Sequence, residues 1–135
     1  MKPVVSQPAR LFALAASAGA LLLLQACASG AGSAPAMVAD GALVGPNGMT
    51  LYTFDKDAAG SGKSVCNGPC AANWPPLVAA AWASGAMGDY SVITRDDGSK
   101  QWALKGKPLY YWVRDNKPGD KTGEGFNNVW HVAKP

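Results

Sequence analysis

The chain is poor in the residues that usually carry chemistry. Its 135 residues hold one histidine and three cysteines, and only 16% are charged. His131 alone cannot build the usual zinc sites, and no cysteine or histidine pair has finger spacing. A serine nucleophile would need a Gly-x-Ser-x-Gly elbow, and none is present. Gly60-Ser61-Gly62-Lys63-Ser64 ends like a phosphate loop, but Asp57 stands where the first glycine belongs. Arg10, Arg95 and Arg114 lie far apart and no basic helix is readable, so the net charge of +3 does not point to nucleic acid. Met37, Met49 and Met87 are scattered rather than clustered as in Met-rich copper carriers. No apolar run reaches the roughly 20 residues of a membrane span.

What is present starts at the amino terminus. Lys2 and Arg10 precede an uncharged stretch over residues 11–26, the layout of a bacterial secretory signal. Leu24-Gln25-Ala26-Cys27 resembles the lipobox of bacterial lipoproteins, in which the cysteine thiol is diacylated and the new amino terminus acylated. Gln25 departs from that motif, which prefers a small or aliphatic residue there. The rival is a cleaved signal that leaves Cys27 unacylated. The expectation is a signal over 1–26 and a lipidated Cys27 on a flexible Ala/Gly/Ser tether to residue 39. Several acyl chains hold a protein at a membrane durably. Ala28, standing where an aspartate would retain the protein at the inner membrane, favours the outer membrane facing the periplasm. Cleavage leaves 109 residues with a formal charge of +1, enough for one modest core.

Two cysteines then remain, in Cys66-Asn67-Gly68-Pro69-Cys70. In an oxidising compartment such a pair is expected to form a disulfide, and Gly68-Pro69 allows the tight turn it needs. Two alternatives stay open: a thiol-redox pair, and a copper(I) site of Cys66, Cys70 and His131.

From Asp40 onward the signals are β. Ala42-Leu43-Val44 and residues 49–54 flank Gly45-Pro46-Asn47-Gly48, a hairpin turn. Residues 90–94 and 101–104 flank Asp96-Asp97-Gly98 as a second hairpin, and 105–108 turn that strand into 109–112. A last strand is expected over 129–133, and one short helix in either 71–74 or 79–84. The fold class is mainly β: a small single domain of antiparallel hairpins, residues 40–135, after the signal peptide and tether.

That domain is duplicated. Residues 48–57 align with residues 106–115 at a constant offset of 58, with Gly on Gly, Leu on Leu, Tyr on Tyr, Phe on Trp and Asp on Asp. Lys63-Ser64 falls on Lys121-Thr122, and after a small gap Asn73-Trp74 falls on Val129-Trp130. Two copies suit a pseudo-two-fold domain with one shared core, its units near 42–76 and 100–133. Strand alternation puts Tyr52 and Phe54 on one face and Leu51 and Thr53 on the other, and likewise Tyr110 and Trp112 against Leu109 and Tyr111. Asp57 and Asp115 follow these strands, where an aspartate accepts backbone hydrogen bonds and organises the loop. The competing reading has them meet across the pseudo-dyad as an acid pair or metal site.

The repeated Tyr-x-(Phe/Trp)-x-x-Asp pattern, on Tyr52, Phe54 and Asp57 and again on Tyr110, Trp112 and Asp115, resembles the secreted repeat lipoproteins defined by a Tyr-x-(Phe/Trp/Tyr)-x-x-Asp motif. Cys66, Cys70, Trp74 and Pro75 also look like that family. The resemblance implies a bacterial envelope lipoprotein whose biochemical role is not established, and it carries over no catalytic or ligand residues. The expectation is a binding module rather than an enzyme, without a cofactor, with an envelope protein or a glycan as partner. Most of the five tryptophans should be buried. Trp82, in an Ala-rich stretch, is the one expected at the surface. The alternatives are a copper or thiol-redox accessory protein and, last, a hydrolase built on Asp57 and Asp115.

Overall fold

The computed structural model describes residues 33–135. Cys27, the expected signal and most of the expected tether lie outside the described residues. The described chain is mainly β with antiparallel pairing, as expected. Its elements are β1 (Met37–Ala39), β2 (Ala42–Val44), β3 (Tyr52–Phe54), α1 (Pro69–Asn73), β4 (Val78–Ala79), β5 (Ala86–Met87), β6 (Tyr90–Thr94), β7 (Lys100–Leu104), β8 (Lys107–Pro108) and β9 (Trp130–Val132).

Three expectations need correction. Residues 37–39 are not tether: β1 pairs with β2, Met37 opposite Val44, and Ala36 ahead of it is buried. Asp40 and Gly41, both at positive φ, supply the tight hairpin turn between them. Composition hides this strand, because β1 is exposed and contributes backbone hydrogen bonds rather than core side chains. Second, the hairpin around Gly45–Gly48 is reduced to a single bridge, Val44 to Thr50. Beyond it β3 departs to pair with β9, Tyr52 opposite Val132 and Phe54 opposite Trp130. Third, residues 109–112 form no continuous strand but bridge through Tyr110, to Tyr52 and to Pro76.

Elsewhere the expected pattern is present. β6 and β7 form the second hairpin in full register, from Tyr90 opposite Leu104 to Thr94 opposite Lys100. β7 is the hub of its sheet, pairing also with β4 and β8. Of the two helix positions, the first is occupied. Pro69 stands in its first turn, where the missing N–H costs nothing. Residues 78–79 are β4 instead, and an irregular segment carries Trp82 into solvent, 87% exposed.

Strand alternation builds two cores on opposite faces. Leu43, Leu51, Leu77, Leu104 and Leu109 form an aliphatic one. Tyr52, Cys66, Trp74, Tyr110, Trp112 and Trp130 form an aromatic one.

The duplication is visible in the hydrogen bonds. Tyr52 and Tyr110 face each other and exchange both backbone bonds, at 2.8 and 3.0 Å, so the pseudo-dyad passes between them. On either side a closed ring of three backbone bonds ties three segments together. Leu43 N–H donates to Ala133, Ala133 to Leu51, and Leu51 back to Leu43, at 2.8–2.9 Å. Trp102 donates to Leu77, Leu77 to Leu109, and Leu109 back to Trp102, at 2.8–3.0 Å. Each ring takes two segments from one repeat and one from the other. The repeats are therefore interleaved, not merely adjacent.

Candidate functional site

The repeated motif has one structural job in both copies, and it is done crosswise. The Tyr52 hydroxyl donates to Asp115 Oδ2 at 2.6 Å, and the Tyr110 hydroxyl donates to Asp57 Oδ2 at 2.5 Å. Each tyrosine thus serves the aspartate of the other repeat. The second carboxylate oxygen then holds its own loop: Asp57 Oδ1 accepts from Val65 N–H at 2.8 Å, and Asp115 Oδ1 from Thr122 N–H at 3.0 Å and its hydroxyl at 2.6 Å. Burial, reinforced by these carboxylates, pushes both tyrosine hydroxyls well above their ordinary range. Burial also raises Asp57 above its usual value, against the lowering effect of the bonds from Tyr110 and Val65. The geometry supports the loop-organiser reading. Both carboxylates are engaged by hydroxyl and amide donors, and no His/Cys/Asp/Glu cluster able to hold a metal ion occurs among the described residues.

Cys66 and Cys70 are bonded to each other, with α-carbons 5.2 Å apart. His131 is engaged elsewhere: Nε2 lies 2.8 Å from Asp55 Oδ2 and Nδ1 lies 3.6 Å from Glu124. The structure therefore does not assemble the copper trio, because its thiols are consumed in the disulfide and its imidazole faces carboxylates. Arg95, itself buried, clamps the disulfide segment to the sheet. It donates to Ser64 Oγ at 3.0 Å, to Gln101 Oε1 at 2.7 Å and to the Cys66 carbonyl.

Above this frame four rings stack across the pseudo-dyad in the order Phe54, Trp130, Trp74, Trp112. Their centroids are 4.2, 3.8 and 4.0 Å apart. The two-fold operation exchanges Phe54 with Trp112 and Trp130 with Trp74, so the sequence repeat is visible in the stack itself. Tyr52 meets Trp74 edge-on and Tyr110 meets Trp130 likewise, at 5.3 and 5.1 Å. Gly123 packs so closely here that a Cβ would lie 2.7 Å from the Trp74 ring.

The stack walls a cleft of about 420 Å³, the size of a small-molecule site. Lys56 and Arg114, equivalent in the repeat, stand at its sides, and Arg114 lies 5.6 Å from the centre of the Trp112 ring. Pro69, Cys70, Phe126 and Val129 supply apolar surface, and Asn73 and Asn127 polar atoms. Asn127 and Asn128 both adopt left-handed backbone, φ 51 and 57, a conformation asparagine tolerates better than most residues. Two such residues in succession at a cleft edge mark constrained backbone of the kind found at binding sites.

Of the residues singled out in the sequence, Phe54, Trp74, Trp112, Trp130 and Cys70 line this cleft; Tyr52 and Tyr110 pack edge-on against its rings and hold Asp115 and Asp57. His131 and Trp82 are not part of it. Sequence reasoning missed Lys56, Arg114 and Phe126 as site residues. A signal exists for the first two, since they occupy the same position within the aligned repeats.

The sequence matches a family described as a secreted repeat of unknown function, in two repeats over residues 36–78 and 91–134. No curated protein and no solved structure matches the chain. No described helix is long and apolar enough to cross a membrane. With both matched repeats meeting on one dyad, the chain belongs to this family of secreted repeats, and so to the cell envelope or the exterior.

Proposed function

We propose that this is a lipid-anchored envelope protein that acts by binding, not by catalysis, and that the dyad cleft is its binding face. The observation that carries this reading is the convergence of both repeats on one cleft. The rigid parts, which are the crossed Tyr–Asp pairs, the ring stack and the disulfide, all lie around or beneath it. A frame so over-determined suits a preorganised binding surface, whose rigidity lowers the cost of ordering on association. Lipidation at Cys27 would place that surface at the outer membrane. The test is photo-cross-linking in the bacterium from a reactive residue placed at Asn73 or Asn127, with Thr94, exposed and outside the cleft lining, as control. Adducts from the cleft positions alone support the reading; adducts from Thr94 alone sink it. Labelled fatty acid incorporated into the chain, and lost in Cys27→Ser, checks the anchor.

A second reading has one observation in its favour. Cys66 is sealed, but Cys70 is partly exposed and lines the cleft. A partner thiolate entering there would attack the Cys70 sulfur, break the Cys66–Cys70 bond, form a mixed disulfide with Cys70 and release Cys66 as the thiolate. Alkylation of the protein in intact cells would show a standing reduced fraction if the pair cycles, and none if the disulfide is purely structural.

A further inference from the structure

We infer that the dyad cleft takes a small amphipathic anion: a compact apolar body bearing carboxylate or a like-charged group. This rests on the reading of the cleft as the binding face. The first argument is charge. Lys56 and Arg114 are the cleft's only ionisable lining side chains, and neither is paired with a carboxylate among the described residues. The neighbouring carboxylates are occupied, Asp55 by His131 and Asp57 by Tyr110 and Val65. Two cations at dyad-related positions, neither in an ion pair among the described residues, place positive charge at the sides of a partly apolar wall. Such charge concentrates anions.

The second argument is hydrogen-bond polarity. Trp74, Trp112 and Trp130 are each at most 5% exposed. Their indole N–H groups find no acceptor among the described residues, yet no buried side-chain nitrogen among those residues is left without a partner. These N–H groups therefore keep some contact with solvent, and all three rings line the cleft. Lysine, arginine and indole can only donate. Apart from the amides of Asn73 and Asn127, the cleft side chains offer donors and no acceptors. A ligand that satisfies them must bring acceptors, and carboxylate brings the strongest.

The third argument is the rings themselves. The two inner rings, Trp130 and Trp74, are covered on both faces by the stack, and Arg114 lies over the Trp112 ring, so what the inner rings turn to the cleft is edge. The edge is the positive part of the aromatic quadrupole. A sugar, which stacks on an open ring face, is offered little here. The apolar part of the ligand would rest on Pro69, Cys70, Phe126 and Val129.

The experiment uses the full chain in detergent micelles and follows the tryptophan indole N–H signals by NMR. The probes are a naphthalene dicarboxylate, its neutral diamide, inorganic phosphate and a neutral oligomer of N-acetylglucosamine. The dicarboxylate is expected to shift the signals of Trp74, Trp112 and Trp130 saturably and to leave Trp82 and Trp102 in place. Lys56→Gln and Arg114→Gln should each weaken it roughly tenfold, the loss of one charge-assisted contact. An equal response to the diamide or to the glycan overturns the anion. An equal response to phosphate alone overturns the apolar body. If cross-linking from Asn73 and Asn127 succeeds while the dicarboxylate moves nothing, the inference falls and the binding reading stands. If cross-linking also fails at the cleft, the binding reading falls with it.

Discussion

At the scale of single residues, the informative contacts are the two that cross between repeats. A buried carboxylate stripped of its hydroxyl donor is left partly unsatisfied, and hydrogen bonds to charged groups are worth about 1.5–3 kcal/mol. Tyr52→Phe and Tyr110→Phe should each lose stability of that order in urea unfolding. The crossing itself is tested by double-mutant cycles. Tyr52→Phe with Asp115→Asn should show coupling of about 0.5 kcal/mol or more, whereas Tyr52→Phe with Asp57→Asn should add within about 0.5 kcal/mol. The opposite pattern would mean that each tyrosine serves its own repeat. Asp57 also titrates unusually for a hydrogen-bonded carboxylate, because burial outweighs its donors. Its native value is raised, so its contribution to stability is complete below the unfolded value and is lost as pH rises through the native one. Asp57 is thus no source of acid unfolding. Its carboxyl carbon, followed by NMR, should titrate above 3.8, and Tyr110→Phe should push the midpoint higher still by removing a bond to the charged form. A midpoint below 3.8 would show that the donors win.

At the scale of elements, the disulfide and α1 form one local device. The bond closes only the segment from Cys66 to Cys70, so the chain-entropy contribution is small, about 2 kcal/mol. Arg95 holds the same segment from the sheet side through the Cys66 carbonyl and Ser64. With that second tether, replacing both cysteines by serine should lower the unfolding free energy by about 2 kcal/mol and leave a folded protein. Loss of the dispersed NMR spectrum would mean that the disulfide, not Arg95, fixes the segment. The two-residue periodicity of 51–54 and 109–112 is enough to assign Leu51 and Leu109 to one face and Tyr52, Phe54, Tyr110 and Trp112 to the other, and both faces are core. Their pairing partners are not readable in the same way. A hairpin turn at Gly45–Gly48 argues for local pairing, and nothing within 49–54 announces that β9, far along the chain, will outcompete β2. β1 is invisible for a related reason: Met37-Val38-Ala39 is apolar throughout yet exposed, so it shows no two-residue alternation.

At the scale of the whole molecule, the offset of 58 residues carries more structural meaning than any single site residue. It determines which rings the dyad exchanges, and it contains Lys56 and Arg114. What it does not reveal is that the copies interleave, since an internal repeat is equally compatible with two side-by-side units. Interleaving has a sharp consequence for folding. β3 finds its partner β9 in the other repeat, Pro76 and Leu77 pair with Tyr110 and Leu109, and both buried aspartates take their hydroxyl bond across the dyad. Either half alone would present unpaired strand edges, a split ring stack and a carboxylate without its donor. Residues 33–88 and 89–135 made separately should therefore be unfolded, with collapsed NMR dispersion and no near-ultraviolet signal from stacked tryptophans. Mixing the two should restore both, because each half supplies the strand partners, rings and hydroxyl donors that the other needs. A half that folds alone as a monomer would mean that each repeat can close its own ring of strands, and that the interleaved pairing is not what holds the domain together.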